Sequence, residues 1–386
     1  MFSYSSIMEG LSMPIKVCHI TTVHPSMDVR IFHKECKALA MEGYEVYLIA
    51  PHHENEEIDG VHIISLPEKA GRLNRFILKK RIAFKKAKEI DAQIYHFHDP
   101  EMIFVGLKLK LLGKKVIYDV HEDVPAQILN KEWLGSLFFR KIISKLFNTF
   151  EKWACRYFDS VVTVTTDIVE KFKMNKRAIL LRNLPSLSII DEIKPLTIKR
   201  EKFTVLYAGA LTEIRGIKEL IQAVNYLNGE VELLILGKWD EPEYEKQCEE
   251  LDGWKYTTYL GFKPVKEVYA YMKTVDLGLC TLYPTLNHRT SWPVKAFEYM
   301  ACQIPILMSD FPYWMDIFKD NAVFVNPKNP EDIADKIQML TKNMEFTREI
   351  GLKNRKIIET MFSWEVEKTN LINLYKEILQ ESSKSK

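Results

Sequence analysis

Apolar residues along this chain follow two alternating rhythms. Short, nearly continuous apolar runs fall at 16–23, 44–50, 61–66, 93–98, 115–120, 160–165 and 178–183, and most are separated by helix-length segments at 30–42, 72–88, 101–113, 134–157 and 167–174. Strands apolar on both faces, alternating with helices, predict a parallel sheet covered on both sides. A charged stretch at 191–202 has few large apolar residues and is expected to be a linker. The rhythm then restarts, with strand-like runs at 203–209, 231–237, 257–261, 275–282, 304–309 and 322–325. The predicted class is α/β, with two doubly wound Rossmann-like domains at 15–190 and 203–362 facing across a cleft. The tail at 363–386 carries Val366, Leu371, Leu374, Tyr375 and Leu379 at helical spacing and is expected to pack back on the first domain. Residues 1–14 read as a disordered lead that lacks the basic and apolar regions of a signal peptide.

Composition narrows the class. The 386 residues suit two domains, and 47% hydrophobic with 27% charged residues describes a soluble globular chain. Lys+Arg 54 against Asp+Glu 52 leaves +2, so no nucleic-acid partner is expected. The balance is uneven: residues 1–190 hold 28 basic and 22 acidic groups, the remainder 26 and 30. Six scattered cysteines form no CxxC pair and no metal-ligand spacing, which predicts reduced thiols in a cytoplasmic protein. No apolar stretch is long enough to span a bilayer.

Doubly wound sheets bind ligands beyond the carboxyl ends of their strands, so polar residues there are the candidates for chemistry. In the first half, His24, His98 and His121 each stand at such an end. Asp99 and Glu101 follow His98, and Glu122 and Asp123 follow His121. A histidine can donate to a sugar hydroxyl or accept from it near neutral pH. One histidine at a strand end is as readily a loop cap; three at equivalent ends favour a ligand site. His96 shares a sheet face with His98 and is expected to be the buried, structural member.

In the second half, Gly209 and Ala210 permit close backbone approach, and Arg215-Gly216 opens a helix whose N-terminus suits phosphate. Neither GxxxxGK[ST] nor GxGxxG is present. In NHRTSWPVKAFEYMACQIPILMSDFP (287–312), Pro293 is expected in the first turn of a helix that runs to about Ala301. Glu298 lies about one and a half turns in, where a carboxylate can accept both hydroxyls of a ribose. Lys295 and the N–H groups from Ser291 to Val294 could hold a diphosphate.

Together with HPSMDVRIFHKE, YHFHDPE, VIYDVHED, LYAGALTEIRGIKELIQAV, SWPVKAFEYMACQIPIL and the closing FSWE helix, the chain resembles glycosyltransferase family 4, the retaining group 1 type with the GT-B fold. The resemblance runs from Lys16 to Leu379. It implies that Glu298 binds the donor ribose, that Arg215 binds the diphosphate and that His98 lies beside the reacting sugar. Gly261 and Phe262 lie near the base. Gly209, Ala210, Thr290, Ser291 and Lys295 complete the donor set; His98, Arg215 and Lys295 carry the catalysis. His24, Asp99, His121 and Glu122 are expected on the acceptor side. Thr290 stands where the family's Glu-x7-Glu pattern has its first glutamate, Ala210 where an arginine is usual, and HPSMD replaces a Gly-rich loop. Some members share these variants, which marks a subgroup.

The function so implied is retaining transfer of a sugar, of the hexosyl type, from a nucleoside diphosphate-sugar to a saccharide or lipid-linked acceptor in bacterial surface polysaccharide synthesis. No Asp-x-Asp occurs, and neither a metal nor another cofactor is expected. A non-hydrolysing nucleotide-sugar epimerase and a catalytically silent nucleotide-binding scaffold stay open as alternatives. The basic, amphipathic stretches 72–88 and 133–157 make an anionic membrane surface a further candidate partner, with peripheral attachment on the inner face of the cell membrane.

Overall fold

A computed structural model describes residues 14–67, 78–197, 200–285 and 292–384. The chain divides into two compact units, Met1–Asn183 with Lys368–Lys386, and Leu184–Glu367. Residues 1–13 of the expected lead lie outside the described residues.

In the first unit the chain passes through β1 (Lys16–Ile20), π-type turns at Ile31–Cys36, α1 (Lys37–Met41), β2 (Glu45–Pro51), β3 (Glu56–Ile58), β4 (Val61–Leu66), α2 (Lys80–Ile90) and β5 (Ile94–Phe97). It continues through α3 (Ile103–Leu111), β6 (Lys115–Val120), α4 (Val124–Asn130), α5 (Leu137–Cys155), β7 (Ser160–Thr163), α6 (Thr166–Lys171) and β8 (Ala178–Leu180). The eight strands form one sheet in the order β3-β4-β2-β1-β5-β6-β7-β8, parallel except for β3. Burial of β1, β5 and β6 on both faces matches their continuous apolar runs. The polar edge strand β3 is not predicted by periodicity. It forms because Asp59 and Gly60, at φ 52° and 77°, make a tight hairpin back to β4. An Asp-Gly pair was the readable signal.

The second unit contains α7 (Leu187–Glu192), β9 (Phe203–Ala208), α8 (Ile217–Tyr226), β10 (Val231–Leu236), α9 (Pro242–Glu249), β11 (Thr257–Gly261), α10 (Val265–Met272) and β12 (Leu277–Cys280). Then follow α11 (Val294–Ala301), β13 (Ile306–Ser309), α12 (Pro312–Phe318), β14 (Val323–Val325), α13 (Pro330–Lys342) and α14 (Met344–Met361). Its all-parallel sheet has the order β11-β10-β9-β12-β13-β14, the strand order of dinucleotide-binding folds.

The boundary differs from the expected linker at 191–202. It lies at Asn183/Leu184, because Leu184, Leu187 and Ile190 are buried in the second unit's own core. Glu365 secures that segment: it accepts hydrogen bonds from the N–H groups of Leu187 and Ser188, at the open start of α7, and from Ser186 Oγ. Helix α15 (Trp364–Lys384) starts in the second unit, where the Trp364 N–H donates to Pro185 O at 2.8 Å. From Lys368 onward it belongs to the first unit, with Leu371, Leu374, Tyr375 and Ile378 buried.

The stretch expected at 72–88 is corrected over its described part. Lys79 is buried, and Ala83 and Ala87 sit in the first unit's core with Ile82 and Phe84 packed beside them. That apolar stripe covers the sheet and is not available to a membrane. Residues 72–77 lie outside the described residues. Helix α5 behaves differently: Phe138, Phe139 and Leu146 are 69%, 60% and 66% exposed. All six cysteines are buried and unpaired.

Candidate active site

In the first unit the sheet's winding reverses between β1 and β5, the kind of point at whose carboxyl end doubly wound sheets bind ligands. Into that end run Thr21, Thr22 and His24 after β1, His98 and Asp99 after β5, and His121 after β6, while Asp119 lies within β6. Asp119 is fully buried and holds the Arg30 fork: Nε donates to Oδ2 at 3.0 Å and Nη2 to Oδ1 at 3.1 Å. Arg30 Nη1 donates to Leu181 O at 3.0 Å. Burial would raise the Asp119 carboxyl, but Arg30 first and then His121 hold it well below the usual carboxylate range.

The π-type turns bring Glu35 to the same place. Its Oε1 lies 3.0 Å from Arg30 Nε without hydrogen-bond geometry, and neither carboxyl oxygen has a hydrogen-bond partner. Burial pushes this carboxyl well up, with the Asp119 charge adding to the effect against Arg30. The two neighbouring carboxyls are thus pushed in opposite directions, Asp119 down and Glu35 up.

A chain of rings leads inward from Asp119. Its Oδ2 lies 3.0 Å from His121 Nε2 and 3.3 Å from His98 Nδ1, and those two nitrogens are 3.2 Å apart. His98 Nε2 meets His19 Nδ1 at 3.0 Å. His19 Nε2 is 3.1 Å from the Tyr375 hydroxyl of α15, which is 3.0 Å from His96 Nδ1.

Two expectations for this cluster need correction. His98, expected beside the reacting sugar, has a fully enclosed side chain with both ring nitrogens engaged, because its neighbours on β1 and β6 close over it. Asp99, expected on the acceptor side, is buried and accepts hydrogen bonds from Thr21 Oγ1 at 3.0 Å, from Thr22 Oγ1 at 3.2 Å and from the Thr22 N–H. It clamps the loop after β1. The groups left open are His24 and His121, with 32% and 18% of their side chains exposed, and Glu122, which accepts from Gln127 Nε2. His24 is shifted upward, chiefly by its bond to Asp28. His96 is buried.

His19, His96 and His98 are pushed below the ordinary histidine range, in each case first by burial. Unfolded, each titrates near pH 6.5, so below that the unfolded chain binds three protons that the folded one resists. Their stabilisation is complete above about pH 6.5 and is lost as pH falls. Glu35 opposes this, since its folded carboxyl keeps a proton that the unfolded chain releases above about pH 4.5. The raised His24 is protonated in both states below about pH 6 and drops out. Three histidines act against one carboxyl, so stability should fall as the pH drops from neutrality into the acid range. Urea denaturation at stepped pH measures this, and a flat profile contradicts it.

Among the described residues, three sets have their donor atoms within 4.8 Å of one another: His98, Asp119 and His121; His19, Glu35, His96 and His98; and His52, His53 and Glu56. In the first set Arg30 places a fixed positive charge against Asp119, which opposes a cation.

In the second unit the reversal falls between β9 and β12. Gly209 and Ala210 follow β9; the Tyr207 hydroxyl donates to Ala210 O at 2.9 Å and fixes this turn. Gly237 has φ 156°, and a Cβ there would sit 1.8 Å from Gly209 O, so only glycine lets these two strand ends touch. Arg215 ends a short 3-10 turn, Glu213–Arg215, and Gly216 caps α8. Thr281 Oγ1, after β12, donates to Arg215 O at 3.1 Å.

Burial pushes the Cys280 thiol up to about 12, against the pull of Arg215, the Ala296 N–H and Lys295. Both cations thus act on this thiol, Arg215 from the turn before α8 and Lys295 from α11. Pro293, expected in the first turn of α11, is its N-cap, and the helix starts at Val294. Glu298 accepts from the Tyr269 hydroxyl at 3.1 Å, and its Oε2 lies 2.7 Å from Lys295 Nζ, an ion pair without hydrogen-bond geometry. Lys295 and Glu298, expected to hold different parts of a donor, pair with each other here. Gly261, at φ 72°, turns β11 outward to Phe262, whose ring is 76% exposed. Thr290 and Ser291 lie outside the described residues.

Sequence reasoning missed Arg30, Glu35, His19, Asp119 and Tyr375 in the first unit, and Tyr207 and Tyr269 in the second. A charged residue inside an apolar strand, as Asp119 is in KVIYDV, was the available signal for one of them.

Two doubly wound units of this kind are the GT-B architecture, and solved structures of that fold superpose on the chain. Sucrose-phosphate synthase from Thermosynechococcus elongatus does so with a TM-score of 0.75 at 17% identity, over 95% of this chain and 100% of that one. Anabaena HepE, solved in complex with UDP-glucose, gives 0.65 at 13%, over 96% and 100%. Residues 188–357 match the family model described as glycosyl transferases group 1, and residues 29–176 match that of glycosyltransferase family 4. Similar in sequence are an uncharacterized glycosyltransferase of Methanocaldococcus jannaschii, 23% identical over 94% of this chain and 98% of that protein, and spore coat protein SA of Bacillus subtilis, 24% identical over 45% and 48%.

Proposed function

We propose that this glycosyltransferase moves a hexosyl group, with retention and without a metal, from a nucleoside diphosphate-sugar to a hydroxyl of a saccharide or lipid-linked acceptor. Bacterial surface polysaccharide synthesis at the cytoplasmic face of the membrane is the proposed setting. The observation that carries the reading is the pair of Lys295 and Glu298 on α11, together with Arg215, whose backbone Thr281 holds just past the end of β12. HepE, which shares the fold, was solved with UDP-glucose.

The donor's diphosphate would displace the Lys295–Glu298 pair and take Lys295 and Arg215 as counter-charges, while Glu298 turns to the ribose hydroxyls. As the bond from the sugar to phosphate breaks, negative charge grows on the diphosphate, and these two cations stabilise it where it develops. Gly261 and Phe262 offer an open aromatic face to the base.

Thermal-shift measurement with UDP-, GDP- and ADP-sugars tests the reading, because a ligand of the folded state raises its melting temperature. One nucleotide class should stabilise the chain. Glu298→Ala should abolish most of that shift; an undiminished shift removes Glu298 from the donor site.

Membrane attachment is proposed through α5 alone. Phe138, Phe139 and Leu146 are exposed on a helix that also carries Lys141 and Lys145. Such a helix suits an anionic leaflet. The chain should float with phosphatidylglycerol vesicles, and Lys141→Glu with Lys145→Glu should weaken this several-fold; equal flotation ends the idea.

A further inference from the structure

His52 and His53 leave the end of β2, and Glu56 opens β3, so the short connection between the two strands carries two imidazoles and a carboxylate. One donor atom from each lies within 4.8 Å of the others. The connection is held from β4. The His52 N–H donates to Leu66 O at 3.2 Å, Ser65 Oγ donates to His52 O at 2.6 Å, and the Ser65 N–H donates to Asn55 Oδ1 at 2.8 Å. Three bonds therefore place this turn before any ligand arrives.

Charge favours a cation here. Residues 38–67 contain no Lys or Arg, against Glu42, Glu45, Glu54, Glu56, Glu57 and Asp59. Among the described residues, none of the three donors pairs with a Lys or Arg, whereas in the two inner sets Arg30 stands 3.0 Å from Asp119 and from Glu35. A hollow of about 540 Å³ lies beside the two histidines, and Lys86 is the one Lys or Arg among the described residues that line it. Side-chain exposure rises from His52 at 10% through Glu56 at 34% to His53 at 63%, which leaves a way in from solvent.

His52 is oriented from behind, as metal-ligating imidazoles are. Its Nδ1 meets Ser26 Oγ at 2.7 Å, and its Nε2 meets Glu56 Oε1. Without a metal, the Ser26 hydroxyl donates to Nδ1 and the Nε2–H donates to Glu56, since two lone pairs would otherwise face each other. A cation held between Nε2 and Glu56 takes the place of that hydrogen. The ring hydrogen then sits on Nδ1 and is accepted by the same Ser26 oxygen, because a hydroxyl serves in either direction.

We propose that His52, His53 and Glu56 form a zinc-class site, separate from sugar transfer, that clamps the end of β2 to the edge strand β3. Two imidazoles and one carboxylate are a donor set that suits zinc, with water in the fourth position. Tetrahedral zinc holds its ligands about 3.4 Å apart, a spacing the exposed His53 ring reaches by turning. Through Ser26 the same cation steadies the loop after β1. The inference does not depend on the transferase reading.

The full chain, stripped of metal with a chelator, is titrated with zinc chloride by calorimetry and by thermal shift. A single zinc should bind and raise the melting temperature, while magnesium and calcium, which prefer oxygen ligands, should not. His53→Ala and Glu56→Gln, both outside the core, should each weaken zinc by more than about 10-fold, and Ser26→Ala by about 10-fold, as for loss of an outer partner. Lys86→Ala should leave binding equal or tighter. Long-range proton–nitrogen NMR should show the His52 hydrogen move from Nε2 to Nδ1 as zinc is added. A wild type that binds no zinc overturns the proposal. Zinc binding undiminished in both His53→Ala and Glu56→Gln does so too, since it puts the metal elsewhere. Stabilisation by inorganic phosphate in place of zinc, lost in Lys86→Ala, makes the hollow an anion site and overturns it equally.

Discussion

Asp119→Ala is expected to destabilise the first unit by about 3–5 kcal/mol, the cost of leaving a buried charge without its partner. Arg30 is 4% exposed, and two of its three hydrogen-bonding nitrogens end on Asp119. Burial opposes its charge, and Asp119 and then Glu35 keep it protonated. Without Asp119 the guanidinium would rely on a Glu35 carboxyl whose oxygens make no hydrogen bond in the native fold. His98 and His121 would lose their common acceptor as well. Urea denaturation measures the effect. The double replacement Arg30→Met with Asp119→Leu should recover most of the loss, because apolar groups of similar size need no counter-charge. A single-variant cost below about 1 kcal/mol would falsify the view of Asp119 as the anchor of this cluster, since that is the range of an exposed pair.

Arg215→Ala is expected to lower sugar transfer by about 10²–10³-fold, the usual loss when one donor to a developing oxyanion is removed. Arg215 is the only arginine in GALTEIRGIKEL, and its backbone is held by Thr281 at the end of β12. Residue 210, in the turn after β9, is an alanine, so no second guanidinium backs it up there. Arg215→Lys should restore part of the rate and not all, because an ammonium keeps the charge but loses the two-pronged geometry. The readout is diphosphate release at saturating nucleotide-sugar. A rate within twofold of wild type for Arg215→Ala would remove it from the mechanism.

Much of the architecture was legible in the residues. The runs around β1, β5, β6, β9 and β12 are apolar on both faces, a pattern that only a sheet covered on both sides can bury. β3 escaped because Glu56 and Glu57 sit on an exposed edge, where no apolar alternation is needed. The unit boundary escaped because Leu187 and Ile190 look sparse in sequence and become buried only against partners such as Met272 and Trp314, far along the chain. In the donor region, Glu298 and Lys295 were legible as a pair of charges on one helix, three residues apart. That they neutralise each other before any ligand arrives was not.

Sequence by itself determined that there are two doubly wound sheets and which residues stand at their carboxyl ends. All of this follows from spacing along the chain, which fixes strand, turn and helix locally. Which histidine is open was decided only in three dimensions. His98 and His121 look equivalent in sequence, each following a strand and preceding an acid. They part because β5 lies between β1 and β6, so His98 is closed in by His19 on one side and Asp119 on the other. His121, one strand further out, keeps an edge free. Tyr375 completes the buried series from 279 residues beyond His96. No local pattern encodes such a contact, because burial depends on what the rest of the chain brings to the same place.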